Sequence, residues 1–178
     1  MREILFKGKR IADGKWVEGY YYKMSETTYC FKEDYEKNPV PEHHYILQER
    51  MTDWGLPNRI AMLEVDPETL CEYTGLTDKN GNEIWENDIL KFEDEIWMFS
   101  HTSCGTEYDS AKIENYGLIG YDENSARYDF VKYKFNENSV EADLHENHDI
   151  EFSEFAKENE RIGNIFDNPE LLQEEKHE

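Results

Sequence analysis

Residues 72–90 read EYTGLTDKNGNEIWENDIL, and whether their Asp, Asn and Glu residues turn the chain or hold a cation decides how the sequence is parsed. Asp78-Lys79-Asn80-Gly81 has the composition of a tight turn: Gly81 takes positive φ without steric cost, and the short side chain of Asp78 or Asn80 caps the turning amides. A calcium loop of the EF-hand type needs oxygen ligands at its first, third and fifth positions, Gly at the sixth and a bidentate Glu at the twelfth. Counted from Asp78, the sixth position is Glu83 and the twelfth is Ile89, so the glycine and the closing carboxylate are both missing. The stretch is read as a turn between strands, and no metal is expected there.

Outward from this turn the chain reads as strands. Ile84 and Trp85 supply a short one, and Glu86-Asn87-Asp88 makes a second corner at which a small barrel would re-enter its sheet. Ile89 to Phe92, Ile96 to His101, Lys112 to Tyr121, Ala126 to Phe135 and Arg161 to Phe166 follow as strand candidates. Within ARYDFVKYKF, Tyr128 and Phe130 share one face while Val131, Tyr133 and Phe135 share the other, a phase slip that a β-bulge explains. Ser153 to Glu160 is read as a short helix. DNPELL is read as a final helical turn, with Asn168 as N-cap and Pro169 at its first position. On the N-terminal side, EILFKGKRI and KWVEGYYYK flank Ala12-Asp13-Gly14, a strong hairpin signal in which Asp13 and Gly14 tolerate positive φ. Trp16, Tyr20 and Tyr22 share a face of the second arm. Between Met24 and Pro67 four prolines interrupt the pattern, leaving a loop-rich middle with short strands only at Tyr45 to Leu47 and Ile60 to Val65. The fold class expected is mainly β: a β-rich N-terminal portion over residues 1–70, and a small β-barrel or roll over residues 71–178 with a few helical turns.

Three blocks, ILFKGKR followed by GKWVEGYYYK, then VDPETLCEYTGLTDKNGNEIWENDILKF, and finally RIGNIFDNPELL, resemble in content and order those of the YopX family, proteins encoded by bacteriophages and prophages. The resemblance implies a C-terminal domain of the Src-homology-3-like (SH3-like) roll type. It implies no catalytic residues, because the family carries no assigned biochemical role. The chain departs from the family pattern twice: members often have Gly-Asp where it has Asn87-Asp88, and the segment from His101 to Ser125 looks like an expanded or altered loop region.

Composition bounds the function. The chain carries 41 acidic and 19 basic residues, a net charge of −22, with the basic surplus confined to residues 1–23 and a net −11 over residues 136–178. Such a surface repels phosphate backbones and anionic membranes, so general nucleic-acid binding is disfavoured. MREILFKGKR lacks the apolar core of a secretory signal, and no run approaches the ~20 apolar residues of a membrane span, so a bacterial cytoplasmic location is expected. Cys30, Cys71 and Cys104 are odd in number and widely spaced, which fits a reducing compartment.

Candidate chemistry is thin. His101 and Cys104 stand three apart, as do His145 and His148, but a zinc site needs about four ligands and neither pair has a second. His43 and His44 are read as exposed loop residues. Gly117-Leu118-Ile119-Gly120 lacks a Walker lysine, and no G-x-S-x-G elbow occurs. No enzyme, cofactor or metal is therefore expected. The reading is a macromolecule-binding module, with Trp85, Trp97, Tyr108, Tyr116 and Tyr121 available to line a surface. Two alternatives accompany it: an acidic mimic of DNA directed at a host DNA-handling protein, and local nucleic-acid contact through Lys7, Lys9 and Arg10 beside Trp16 and Tyr20.

Overall fold

The computed structural model describes residues 3–102, 105–134 and 152–173, with backbone alone for 94–102 and 105–109. The chain divides into two compact units, Met1–Tyr73 and Thr74–Glu178.

The first unit opens with a hairpin of β1 (Phe6–Lys9) and β2 (Trp16–Ser25). Its turn is set by Gly14 at φ +67° and by the N–H of Gly14 donating to the carbonyl of Arg10 at 2.8 Å. The Arg10 guanidinium grips Asp13, Nε to Oδ1 at 2.7 Å, and that hydrogen bond holds the Asp13 carboxyl down at about 2. β2 pairs with β1 as far as Gly19 and from Tyr20 onward with β3 (Glu42–Arg50). A Cβ at Gly19 would stand 2.4 Å from the Leu47 carbonyl oxygen, so the hand-over between partners requires glycine. A short helix, α1 (Lys32–Lys37), lies between β2 and β3, and β4 (Arg59–Glu64) completes a hairpin with β3.

Beyond β4 the chain returns to β1. Val65 bridges Arg10, Ile11 N–H donates to Glu64 O at 3.0 Å, and Asp66 N–H donates to Lys9 O at 2.8 Å. Asp66 caps a 3-10 turn, Pro67–Thr69, and β5 (Cys71–Thr77) pairs with the other edge of β1. The antiparallel order is β4-β3-β2-β1-β5, curled so that Ile46, Val65 and Cys71 are buried.

In the second unit β5 runs on to the turn at Asp78–Asn82 and to β6 (Glu83–Trp85). A four-stranded antiparallel sheet follows from β7 (Asp88–Thr102), β8 (Gly105–Asp122), β9 (Arg127–Lys134) and, after helix α2 (Phe152–Glu158), β10 (Glu160–Asn164), in the order β10-β7-β8-β9. Neighbouring residues of β7 point to opposite faces, and both are covered. Leu90 and Ile119 pack with Ile84 and Ala156 of α2; Ile89 and Leu118 pack with Leu172 of the closing 3-10 turn, Pro169–Leu172.

Several expectations need correction. The described ladders form two open sheets, because β9 and β10 lie at opposite edges of the second one and do not pair; no barrel closes. The strands expected at Ile89–Phe92 and Ile96–His101 are one strand, β7, matched residue for residue by β8 from Thr102↔Gly105 to Ile89↔Leu118. The loop-rich middle holds a nine-residue β3, whose polar residues are satisfied across the sheet: His44 Nδ1 meets the Tyr21 hydroxyl at 2.7 Å, and Gln48 donates to Glu18 O. Asn168 stands at the N-cap without capping through its side chain, which lies instead where a Cβ on Gly163 would fall. The phase slip in β9 is a register shift: Ile119 pairs with Phe130 and Leu118 with Lys132, skipping Val131, so that Tyr133 returns to the face of Phe130 with ring centroids 5.3 Å apart. Phe135 lies outside the described residues.

Candidate binding face

The turn at Asp78 is a structural anchor. Asp78 is only 4% exposed; its Oδ1 accepts from the amides of Asn80 (2.9 Å) and Asn82 (2.8 Å), and its Oδ2 from the Asn82 side chain (2.9 Å) and the Arg161 amide (3.1 Å). Burial opposes its ionisation, but these four donors outweigh burial and hold the carboxyl below the usual range. A carboxylate offers about four lone-pair sites, all taken here, so none remains for a cation. Gly81 sits at φ +81°, as the turn reading requires. At the second corner Asn87 adopts φ +63°, a conformation that glycine favours and asparagine tolerates, while the fully buried Asp88 accepts from Trp85 N–H at 2.9 Å and lies 3.6 Å from Arg161. Lys79 N–H donates to Asn159 O, and Ile165 N–H to Asn87 O. The middle and C-terminal sequence blocks are thus bonded to each other. Among the described residues no cluster of three His, Cys, Asp or Glu side chains is placed to hold a metal ion.

Of the three candidate cations in the basic hairpin, one is buried and two are half-buried. Lys7 is 8% exposed, with Nζ 5.2 Å from the Trp16 ring centroid; Lys9 approaches the same ring at 5.4 Å, and Arg10 is engaged with Asp13. Pairing on both sides of β1 draws Lys7 inward, a burial that lysine at an alternating strand position conceals in sequence. Trp85 is buried, Tyr116 packs in the second core, and Tyr121 is exposed at the edge of the Tyr128 ring. Trp97, His101 and Tyr108 lie on described backbone whose side chains are not described, and Cys104, His145 and His148 lie outside the described residues.

What the fold does display is the outer face of β2, β3 and β4. Cross-strand partners share a face. The registers Tyr20↔Leu47↔Met62, Tyr22↔Tyr45↔Glu64, Met24↔His43 and Glu49↔Ile60 therefore place Tyr20, Tyr22, Met24, Leu47, Ile60 and Met62 together. The opposite face carries Tyr21, Ile46 and Leu63, turned toward the interior of the curl. On the outer face Ile60 is 71% exposed, and Tyr20, Tyr22, Met24 and Met62 are exposed as well. The loop joining β3 to β4 adds exposed Met51, Leu56 and a fully exposed Trp54.

Carboxylates surround this apolar area. The Tyr20 hydroxyl donates to Glu3 at 2.7 Å, and Glu3 together with Glu49 pushes the tyrosine pKa up. Asn58 donates to Glu49 at 2.6 Å. His43, stacked on Tyr45, bonds Glu64 at 2.6 Å and Glu26 at 3.4 Å, and the Glu64 bond raises its pKa. Among the described residues no Lys or Arg forms an ion pair with Glu3, Glu26, Glu49 or Glu64. The sequence reading caught Tyr20 and Tyr22 but missed Leu47, Ile60 and Met62. Both faces of YYY and IAML are apolar, so the alternation that marks a half-buried strand is absent.

The described residues define an antiparallel β protein of two sheets. The chain belongs to the YopX protein family, whose model matches residues 5–173. It is also similar to a solved structure, protein EF1440 from Enterococcus faecalis, at 18% identity over 97% of this chain and 100% of that one, with a TM-score of 0.42. No curated protein matches the sequence. Among the described residues no helix is long and apolar enough to cross a membrane.

Proposed function

We propose that this protein is a non-enzymatic binding module, a phage or prophage accessory protein working in the bacterial cytoplasm, that docks onto another protein through apolar side chains of its first unit. The carrying observation is the fully exposed Trp54 in the loop between β3 and β4, a loop that also carries exposed Met51 and Leu56 and leads into exposed Ile60, in a chain otherwise so charged. Clustered exposed apolar residues mark interaction surfaces, and tryptophan is enriched among the residues that dominate binding energy. The non-enzymatic reading draws support from the buried carboxylates Asp78 and Asp88, whose hydrogen bonds serve the fold. The SH3-like description of the second unit stays with this proposal, supported by the β7-β8-β9 meander and its bulge.

A second reading, the DNA mimic, has one observation in its favour. The charge is uneven: residues 1–73 hold 10 basic and 14 acidic residues, net −4, and residues 74–178 hold 9 and 27, net −18. Nucleic-acid contact through the N-terminal hairpin draws less support, since Lys7 is buried while Lys9 and Arg10 are half-buried.

Capture from host lysate at low and high salt, with the wild type and with W54A and I60E, separates the readings. Apolar docking gives a partner retained at high salt and lost in both variants, since desolvated area is little screened. A DNA mimic gives basic partners released by salt and indifferent to both substitutions. Absence of any partner at either salt overturns both.

A further inference from the structure

We propose that the outer face of β2, β3 and β4 is the seat for a basic amphipathic segment of the partner, a stretch with apolar side chains along one side flanked by Lys or Arg. The inference rests on the protein-docking reading and adds the chemistry of what docks. The centre of the face, formed by Tyr20, Tyr22, Leu47, Ile60 and Met62, offers apolar area in strand register. Around it stand Glu3, Glu26, Glu49 and Glu64, hydrogen-bonded to Tyr20, His43 and Asn58 and to no Lys or Arg among the described residues. Neutral groups or histidine, and no lysine or arginine among the described residues, hold these carboxylates in place. A partner that covers the centre brings its flanks over this rim, where basic side chains are favoured and acidic ones repelled. The same rim argues against a second copy of this chain: two such faces would set four carboxylates against four, between molecules of net charge −22.

The test uses the isotope-labelled full chain titrated with a synthetic helical peptide of Leu and Lys at helical spacing, followed by amide chemical shifts. Its controls are a Leu/Glu peptide and oligolysine. Saturable binding of the Leu/Lys peptide, with shifts clustered on β2, β3 and β4, is expected. It should weaken about tenfold or more in I60E and about fivefold in E49K, whose side chains are exposed enough to leave the fold intact. Neither control peptide should match it. Absence of saturable binding overturns the proposal, as does oligolysine binding equally well or shifts lying in residues 74–178 with I60E inert. A dimer in sedimentation that I60E dissociates overturns it in favour of a second copy. If the peptide fails while lysate capture still depends on Trp54, this inference falls and the docking reading stands; if both fail, both fall.

Discussion

Asp78→Asn keeps the shape of the side chain but exchanges one acceptor oxygen for a donor amide at a site where all four neighbours are donors. With the amide nitrogen in the Oδ2 position, the Arg161 N–H loses its acceptor, and the Asn82 side chain must flip to avoid facing donor with donor. With the nitrogen at Oδ1, the amides of Asn80 and Asn82 are stranded instead. An unsatisfied buried donor costs roughly 1–3 kcal/mol, and the remaining bonds lose charge assistance, so the variant should be less stable by about 2–4 kcal/mol at neutral pH. The pH dependence has a definite sign. Because the folded Asp78 carboxyl is held below its ordinary value, its contribution is fully present above the unfolded pKa of about 3.9 and is lost as pH falls through the folded value. Urea unfolding of wild type and D78N, followed by far-UV dichroism at neutral pH and at about pH 3, should show the difference large in the first and shrinking in the second. A difference under about 0.5 kcal/mol at neutral pH, or one that grows toward acid, would refute the account of the turn as a buried anchor.

Gly19→Ala should cost about 1–3 kcal/mol in the same assay, since the new methyl meets the Leu47 carbonyl; a neutral result would mean that the strand hand-over is less tight than described. His43 should titrate by NMR above the midpoint of a free imidazole, and Glu64→Gln should bring it down; an unmoved midpoint would show that Glu64 is not its main partner. Ile60→Glu should leave stability within about 0.5 kcal/mol of wild type, the expectation for an exposed position, and a larger loss would mean that Ile60 is structural.

The features legible in the sequence are those fixed by local chemistry. Asp13-Gly14 and Asn80-Gly81 carry their turns in residues that accept positive φ, and the bulge at Val131 shows as a slip between Phe130 and Tyr133. Asn87 is a subtler instance: it takes the left-handed conformation that a glycine would favour at that corner. What stayed hidden depends on long-range pairing. Lys7 reads as a surface cation until β1 is paired on both edges, and β3 reads as no more than a short strand at Tyr45 to Leu47 until His44 finds Tyr21 and Gln48 finds Glu18. Half of the candidate face was visible in YYYKM. The other half, on β4, was obscured because IAML is apolar on both sides, so only register reveals which residues face outward.

Amide hydrogen exchange of the full chain, measured free and in complex with a partner retained at high salt, tests the docking face most directly. The account predicts that complex formation slows exchange within residues 20–24, 43–49 and 59–64 and leaves the strands around Asp88 and Ile119 unchanged. Slowing confined to the acidic second unit, with β2, β3 and β4 exchanging as in the free protein, would contradict it.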